Sequence, residues 1–217
     1  MNTLRREVLP AEQFDDLPQQ HASARLGMWL FLLNEILFFG GFFCAYAWGR
    51  YGAPEAFTLA SRRLDVVLAG IESVVLIVSG LLVALALRAI RLDRPRGAWR
   101  LLACGAALGL LFLALHGKEY LTEFHEGLVP GLHFRWDGVH DAQAQLFFFL
   151  YYAMTLFHAL HVAVGVVLLG WLALRTRRGH FDAGHHPQIE MVCLYWQFVD
   201  VVWMFLFPLF YLVDRST

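Results

Sequence analysis

The sequence predicts an all-α, polytopic membrane protein, a bundle of five transmembrane helices. Three observations predict it. Of the 217 residues, 59% are hydrophobic and only 16% charged, whereas a soluble domain runs nearer half apolar and a quarter charged. Five apolar stretches are each long enough for the roughly 20 residues that a membrane-crossing helix needs. The acidic and histidine side chains inside those stretches are few and regularly spaced. Each buried charge costs roughly 2.5–3.5 kcal/mol on insertion scales, so such groups should face protein, water or a partner and are functional-site candidates.

Residues 1–24 form a polar arm with Glu12, Asp15 and Asp16. The arm lacks the apolar core of a signal peptide. The membrane domain is expected over 25–217, with spans at about 26–48, 66–90, 99–120, 142–174 and 190–213. The fourth is longer than a bilayer requires and should tilt or protrude. Pro208 should bend the end of the fifth. Arg5, Arg6 and Arg25, the group from Arg88 to Arg100, and Arg175, Arg177 and Arg178 fall on one side of the predicted membrane. The positive-inside rule makes that side cytoplasmic, with the N-terminus inside and the C-terminus outside. The loop over 121–141, carrying Glu123, His125, Glu126, His133, Asp137, His140 and Asp141, is then external. It reads either as a docking surface or as a solvated loop.

Helical periodicity sorts the polar groups into faces. Glu35 lies in the middle of the first span among Phe31, Phe38 and Phe39, with Gly40 and Gly41 just beyond. Asp65, Glu72 and Ser79 recur at steps of seven. His116 lies deep in the third span, and Glu119 lies at its end. Met154, His158, His161 and Gly165 form one stripe, and Glu190, Cys193, Gln197, Asp200 and Met204 another, with Trp196 and Trp203 flanking Asp200. Small residues allow close helix approach and polar ones hydrogen-bond across it, so these seams should meet inside the bundle or along one groove facing a partner.

The chemistry such residues could support is limited. Glu35, Glu72, Glu119 and Asp200 could relay protons or act as structural partners, and structural pairing is favoured. His158 and His161 stand three apart on one helix rather than on facing helices, so interhelical hydrogen bonding is favoured over haem or metal ligation. His185 and His186 read as a helix-entry turn beside Pro187. No GxSxG element supports nucleophilic catalysis. Cys44, Cys104 and Cys193 form no CxxC pair and read as small buried apolar residues. A net charge of −1 argues against nucleic acid as a partner.

Four motifs carry a family resemblance. Residues 27–43 read GMWLFLLNEILFFGGFF. Lys118-Glu119-Tyr120 closes the third span. Residues 157–165 read FHALHVAVG, and residues 195–203 read YWQFVDVVW. In this order they resemble the subunit III family of the haem–copper oxidases, cytochrome c oxidase subunit III, in its short five-helix bacterial form. The resemblance implies an accessory subunit of a proton-pumping terminal oxidase in the aerobic electron transport chain of a bacterial plasma (inner) membrane. It implies no catalytic residue, redox centre or metal in this chain, with haem and copper held by the partner subunit I. It also implies packing on subunit I and other oxidase subunits, bound phospholipid, and Glu35 near the entrance of the proton-uptake route. His158, His161, Gln197, Trp196 and Trp203 would form the interhelical polar seam. Gln197 stands where the family usually has histidine, Asn34 where it has serine, and Glu72 where it has an uncharged polar residue. Glu72 should therefore meet a partner group on another helix or subunit. Alternatives are a subunit of a nitric oxide reductase or quinol oxidase, or a small proton-coupled transporter. The last has no broken-helix pair to support it.

Overall fold

The computed structural model describes residues 16–131, 134–136, 141–181 and 187–213, and contains six helices among them. They are α1 (Leu17–Gly52), α2 (Pro54–Ser61), α3 (Val66–Arg91), α4 (Pro95–His125), α5 (Asp141–Arg177) and α6 (Pro187–Tyr211). All but α2 are long and apolar enough to cross a membrane.

Helix boundaries follow local chemistry. Asp16 caps α1, its carboxylate accepting from the Gln19 amide at 2.7 Å. α1 therefore begins at Leu17 rather than near residue 26, and the end of the polar arm continues as helix. Asp65 was expected in a polar seam. It is instead the N-cap of α3, accepting from the amides of Val67 and Leu68 at 3.0 Å each. Such a cap contributes about 1 kcal/mol. Pro54, Pro95 and Pro187 open α2, α4 and α6, a position where the missing N–H costs nothing. α4 closes with Gly127 at φ 75°, which lets the Leu128 amide reach the Glu123 carbonyl at 3.0 Å and the Gly127 amide reach Phe124 at 3.1 Å. This pairing satisfies two carbonyls that the helix end would leave bare. α6 runs through Pro208 and ends at Tyr211.

Helices α3, α4, α5 and α6 form a closed bundle, in which α3 packs on α4 and α6, and α5 packs on α4 and α6. Trp196, fully buried, is its keystone. A Cβ added at Gly109 of α4 would lie 2.7 Å from the indole, and one at Gly165 of α5 would lie 2.5 Å from it. Only glycine at both positions lets the ring sit between three helices. α1 is an outrigger laid across α5 and α6. Only 11% of its apolar window is buried, against 33–44% in the other four spans. Trp29, Leu33, Ile36, Leu37 and Trp48 all point away from the bundle.

At one end, α2 ties α1 to the bundle. Phe57, Tyr46, Phe147, Phe210 and Tyr151 pack edge to face there at centroid distances of 5.2–5.6 Å, arrangements worth about 0.5–1.5 kcal/mol per pair beyond burial. Tyr46 donates to the Leu209 carbonyl at 2.7 Å and Ser61 to the Phe210 carbonyl at 2.6 Å. The last turn of α6 thus takes its hydrogen bonds from α1 and from the end of α2.

Candidate functional site: three polar centres in the helix bundle

The first centre joins α1 to α5. Glu35 Oε2 lies 3.1 Å from His161 Nε2, and the two side chains are 13% and 17% exposed. His161 Nδ1 lies 2.7 Å from the Phe157 carbonyl, which can only accept. Nδ1 therefore carries a hydrogen, and the Nε2–Oε2 contact needs a second proton, on the imidazole or on the carboxyl. The unit is neutral overall with either placement. Tyr195 of α6 donates to the His161 carbonyl at 3.0 Å. Phe38 and Phe157 meet edge to face at 5.0 Å, and Phe39 lies 5.7 Å from the His161 ring. The pair sits where α1 meets the bundle and remains partly exposed at its edge.

The second centre lies wholly inside the chain. His116 Nδ1 of α4 is 3.3 Å from Glu72 Oε2 of α3 and 3.4 Å from Glu119 Oε2, one turn further along α4. All three side chains are at most 3% exposed. The Tyr211 hydroxyl of α6 donates to Glu119 Oε2 at 3.0 Å, and the Tyr151 hydroxyl of α5 lies 3.1 Å from that of Tyr211. Tyr120 bonds the Thr155 hydroxyl. Buried Glu123 lies beside Tyr151 and Tyr152. Aromatic rings enclose the imidazole: Phe112 stacks on it at 5.6 Å with 8° between planes, and Trp203 meets it edge-on at 5.6 Å. Glu72 thus finds its partner on a neighbouring helix, as its cost in an apolar span requires.

Asp200 and the tryptophans of α6 form the third. A Cβ on Gly80 would collide with the Asp200 carboxylate, so glycine at this point of α3 admits the acid. Gln197 donates to the Gly80 carbonyl at 3.0 Å. Trp203 donates to Ser73 at 3.0 Å, and Ser73 donates on to the Ala69 carbonyl at 2.8 Å. Trp196 packs between the two glycines and makes no hydrogen bond through Nε1.

The structure divides what periodicity had grouped. His158 and His161 share a stripe, yet His158 is fully buried with its ring stacked on Trp203 at 5.2 Å and neither nitrogen hydrogen-bonded. His161 reaches α1 instead. The α6 stripe also breaks up: Gln197 and Met204 are exposed, while Glu190 forms an ion pair with Arg91 at 2.9 Å. Of the supposed external loop, Glu123 belongs to α4 and is buried. His133, Asp137, His140, His185 and His186 lie outside the described residues. Of the second centre, Tyr211 escaped the sequence reading, and Glu123 was assigned to the external loop instead. For Glu123 a signal existed, since His116, Glu119 and Glu123 stand at i, i+3 and i+7 on one face of α4.

A sequence model of cytochrome c oxidase subunit III matches residues 16–214. The chain is 35% identical over 202 residues to cytochrome c oxidase subunit 3 of Thermostichus vulcanus, covering 92% of each. It is 36% identical over 203 residues to that of Synechocystis sp., covering 89% of this chain and 77% of the relative. With the rabbit subunit, from Oryctolagus cuniculus, it shares 31% identity over 196 residues, covering 86% of this chain and 68% of the relative.

Proposed function

The chain belongs to the cytochrome c oxidase subunit III family, accessory membrane subunits of the haem–copper oxidases that generally carry no redox centre. From that premise we propose that it packs on the catalytic subunit I through the open face of α1 and supports proton uptake there through Glu35 and His161. The observation that carries this is the position of that pair. It holds one exchangeable proton in a neutral unit, and it lies at the rim of the chain rather than within the closed bundle. The outward apolar row of α1 continues past it through Leu33, Ile36 and Leu37. A partner seated on that row would cover the pair's remaining exposure and place the proton at a boundary between subunits.

Membrane-spanning helices with this arginine distribution fit a bacterial plasma membrane, N-terminus inside. Phospholipid binding fits the arginine–indole contacts near the helix ends remote from α2. Arg100 and Arg177 both lie over Trp99, at 5.7 and 5.5 Å, and Arg175 lies over Trp171 at 4.6 Å. Guanidinium groups held on indole rings can take a lipid phosphate bidentately. The nitric oxide reductase and transporter readings gain nothing from the geometry.

The test is purification of the tagged chain from its native membrane, in wild-type form and as Glu35→Gln. The catalytic subunit should accompany both. Oxygen consumption by the Glu35→Gln complex should start near the wild-type rate and decay faster with successive turnovers. Identical decay in the two would remove the role in proton uptake, and absence of the catalytic subunit from both would remove the packing.

A further inference from the structure

We propose that Glu72, His116 and Glu119 form a binding site for a divalent first-row transition-metal ion, with zinc the best match. The sequence assigned no metal to this chain, because the donor set exists only once α3 and α4 are in register.

Donor spacing is the first argument. Glu72 Oε2 and Glu119 Oε2 lie 3.3 and 3.4 Å from His116 Nδ1, and all three donors fall within 4.8 Å of one another. Two ligands each about 2.0–2.1 Å from a tetrahedral zinc ion are roughly 3.3–3.4 Å apart. One imidazole and two carboxylates leave a fourth position for water or for a second oxygen of either acid. Magnesium and calcium ask instead for six or more oxygen donors, which this pocket does not offer.

Charge balance is the second argument. Two carboxylates in a site this deeply buried require compensation. A dication supplies it in full against a neutral imidazole. Protons could also supply it, but they leave the cost of any buried carboxyl oxygen that no donor reaches. Glu72 Oε1 and Glu119 Oε1 are both buried and neither has a hydrogen-bond partner. Each belongs to a carboxyl group whose other oxygen already faces His116, so each acid keeps a second oxygen that could turn to an ion. The surroundings fit a ligand set held in place: Tyr211 orients Glu119, and Phe112 and Trp203 fix the plane of His116. The hydrogen bond from Tyr211 to Glu119 is an outer contact of the kind that tunes metal sites.

The decisive experiment uses the tagged chain in detergent with the partners it retains. The sample is stripped with EDTA, loaded with zinc chloride, dialysed against metal-free buffer and assayed for zinc per chain by mass spectrometry. Wild type should keep one zinc ion per chain more than Glu72→Gln, the substitution that leaves an uncharged polar residue at this position. Equal zinc in the two would overturn the proposal. Should Glu72→Gln fail to accumulate, an anomalous difference map at the zinc edge from zinc-loaded wild-type crystals decides the matter. A peak between the three donors supports the site, and its absence means that protons alone hold the triad together.

Discussion

Glu72–His116 and Glu35–His161 are chemically the same pair, at 3.3 and 3.1 Å, set in opposite surroundings. The first is sealed between α3 and α4 and shares its imidazole with a second acid. The second bridges the closed bundle to an outrigger helix and remains open at its edge. The same two side chains therefore serve two purposes, and burial decides which. A sealed pair must find its compensation inside the bundle, from the chain's own groups or from an ion held among them. A rim pair can leave that to a neighbouring subunit and keep its proton exchangeable.

The largest effect should come from breaking the sealed pair. Glu72→Ala leaves His116 with Glu119 alone and a void beside them, and loss of one member of a buried pair costs about 3–5 kcal/mol. The chain should show a markedly lower unfolding midpoint in detergent. An unchanged midpoint would place the two pairs on the same footing. Next comes the packing that seals it. Gly165→Ala drives a methyl group into Trp196, and overpacking of this kind costs about 1–3 kcal/mol. The same change at Gly41, where a Cβ meets nothing within 4 Å, should leave the isolated chain's midpoint where it is. Gly41→Leu sharpens the contrast: thermal stability should hold, while co-purification of the catalytic subunit should fall if a partner approaches α1 closely there. Tyr211→Phe removes the buried hydrogen bond to Glu119 and the contact with the Tyr151 hydroxyl, for a cost of about 1–2 kcal/mol measurable in the same melts. The smallest change in stability belongs to Glu35→Gln, because an amide can still bond His161. Its signature is the turnover-dependent loss of oxygen consumption described above.

The long apolar runs made the five spans readable, since length and hydropathy are local properties. The eight-residue α2 was not readable. It is too short to cross a membrane, and it is held by the Phe57 contacts and by Ser61 at the end of α6. The acids inside the spans declared themselves by their cost, but their partners did not. Glu72 could be known to need a partner; that the partner is His116 depends on how α3 slides along α4, which no spacing within one helix encodes. His158 and His161 show the converse. Periodicity assigns them one stripe, yet about 60° of difference in azimuth, the consequence of three residues at 3.6 per turn, sends one ring into the core and the other to α1. Asp65 misled because a step of seven also fits an N-cap immediately before the span.

The bonds from Tyr46 and Ser61 to the final turn of α6 have a consequence for biogenesis. Translation delivers α1 and α2 first and Leu209 and Phe210 among the last residues of the described chain. The bonds to those carbonyls can form only once the last helix is in place. Insertion thus finishes with a latch rather than a gradual accretion, and a nascent chain released before that point would expose the omission to the membrane's quality-control proteases.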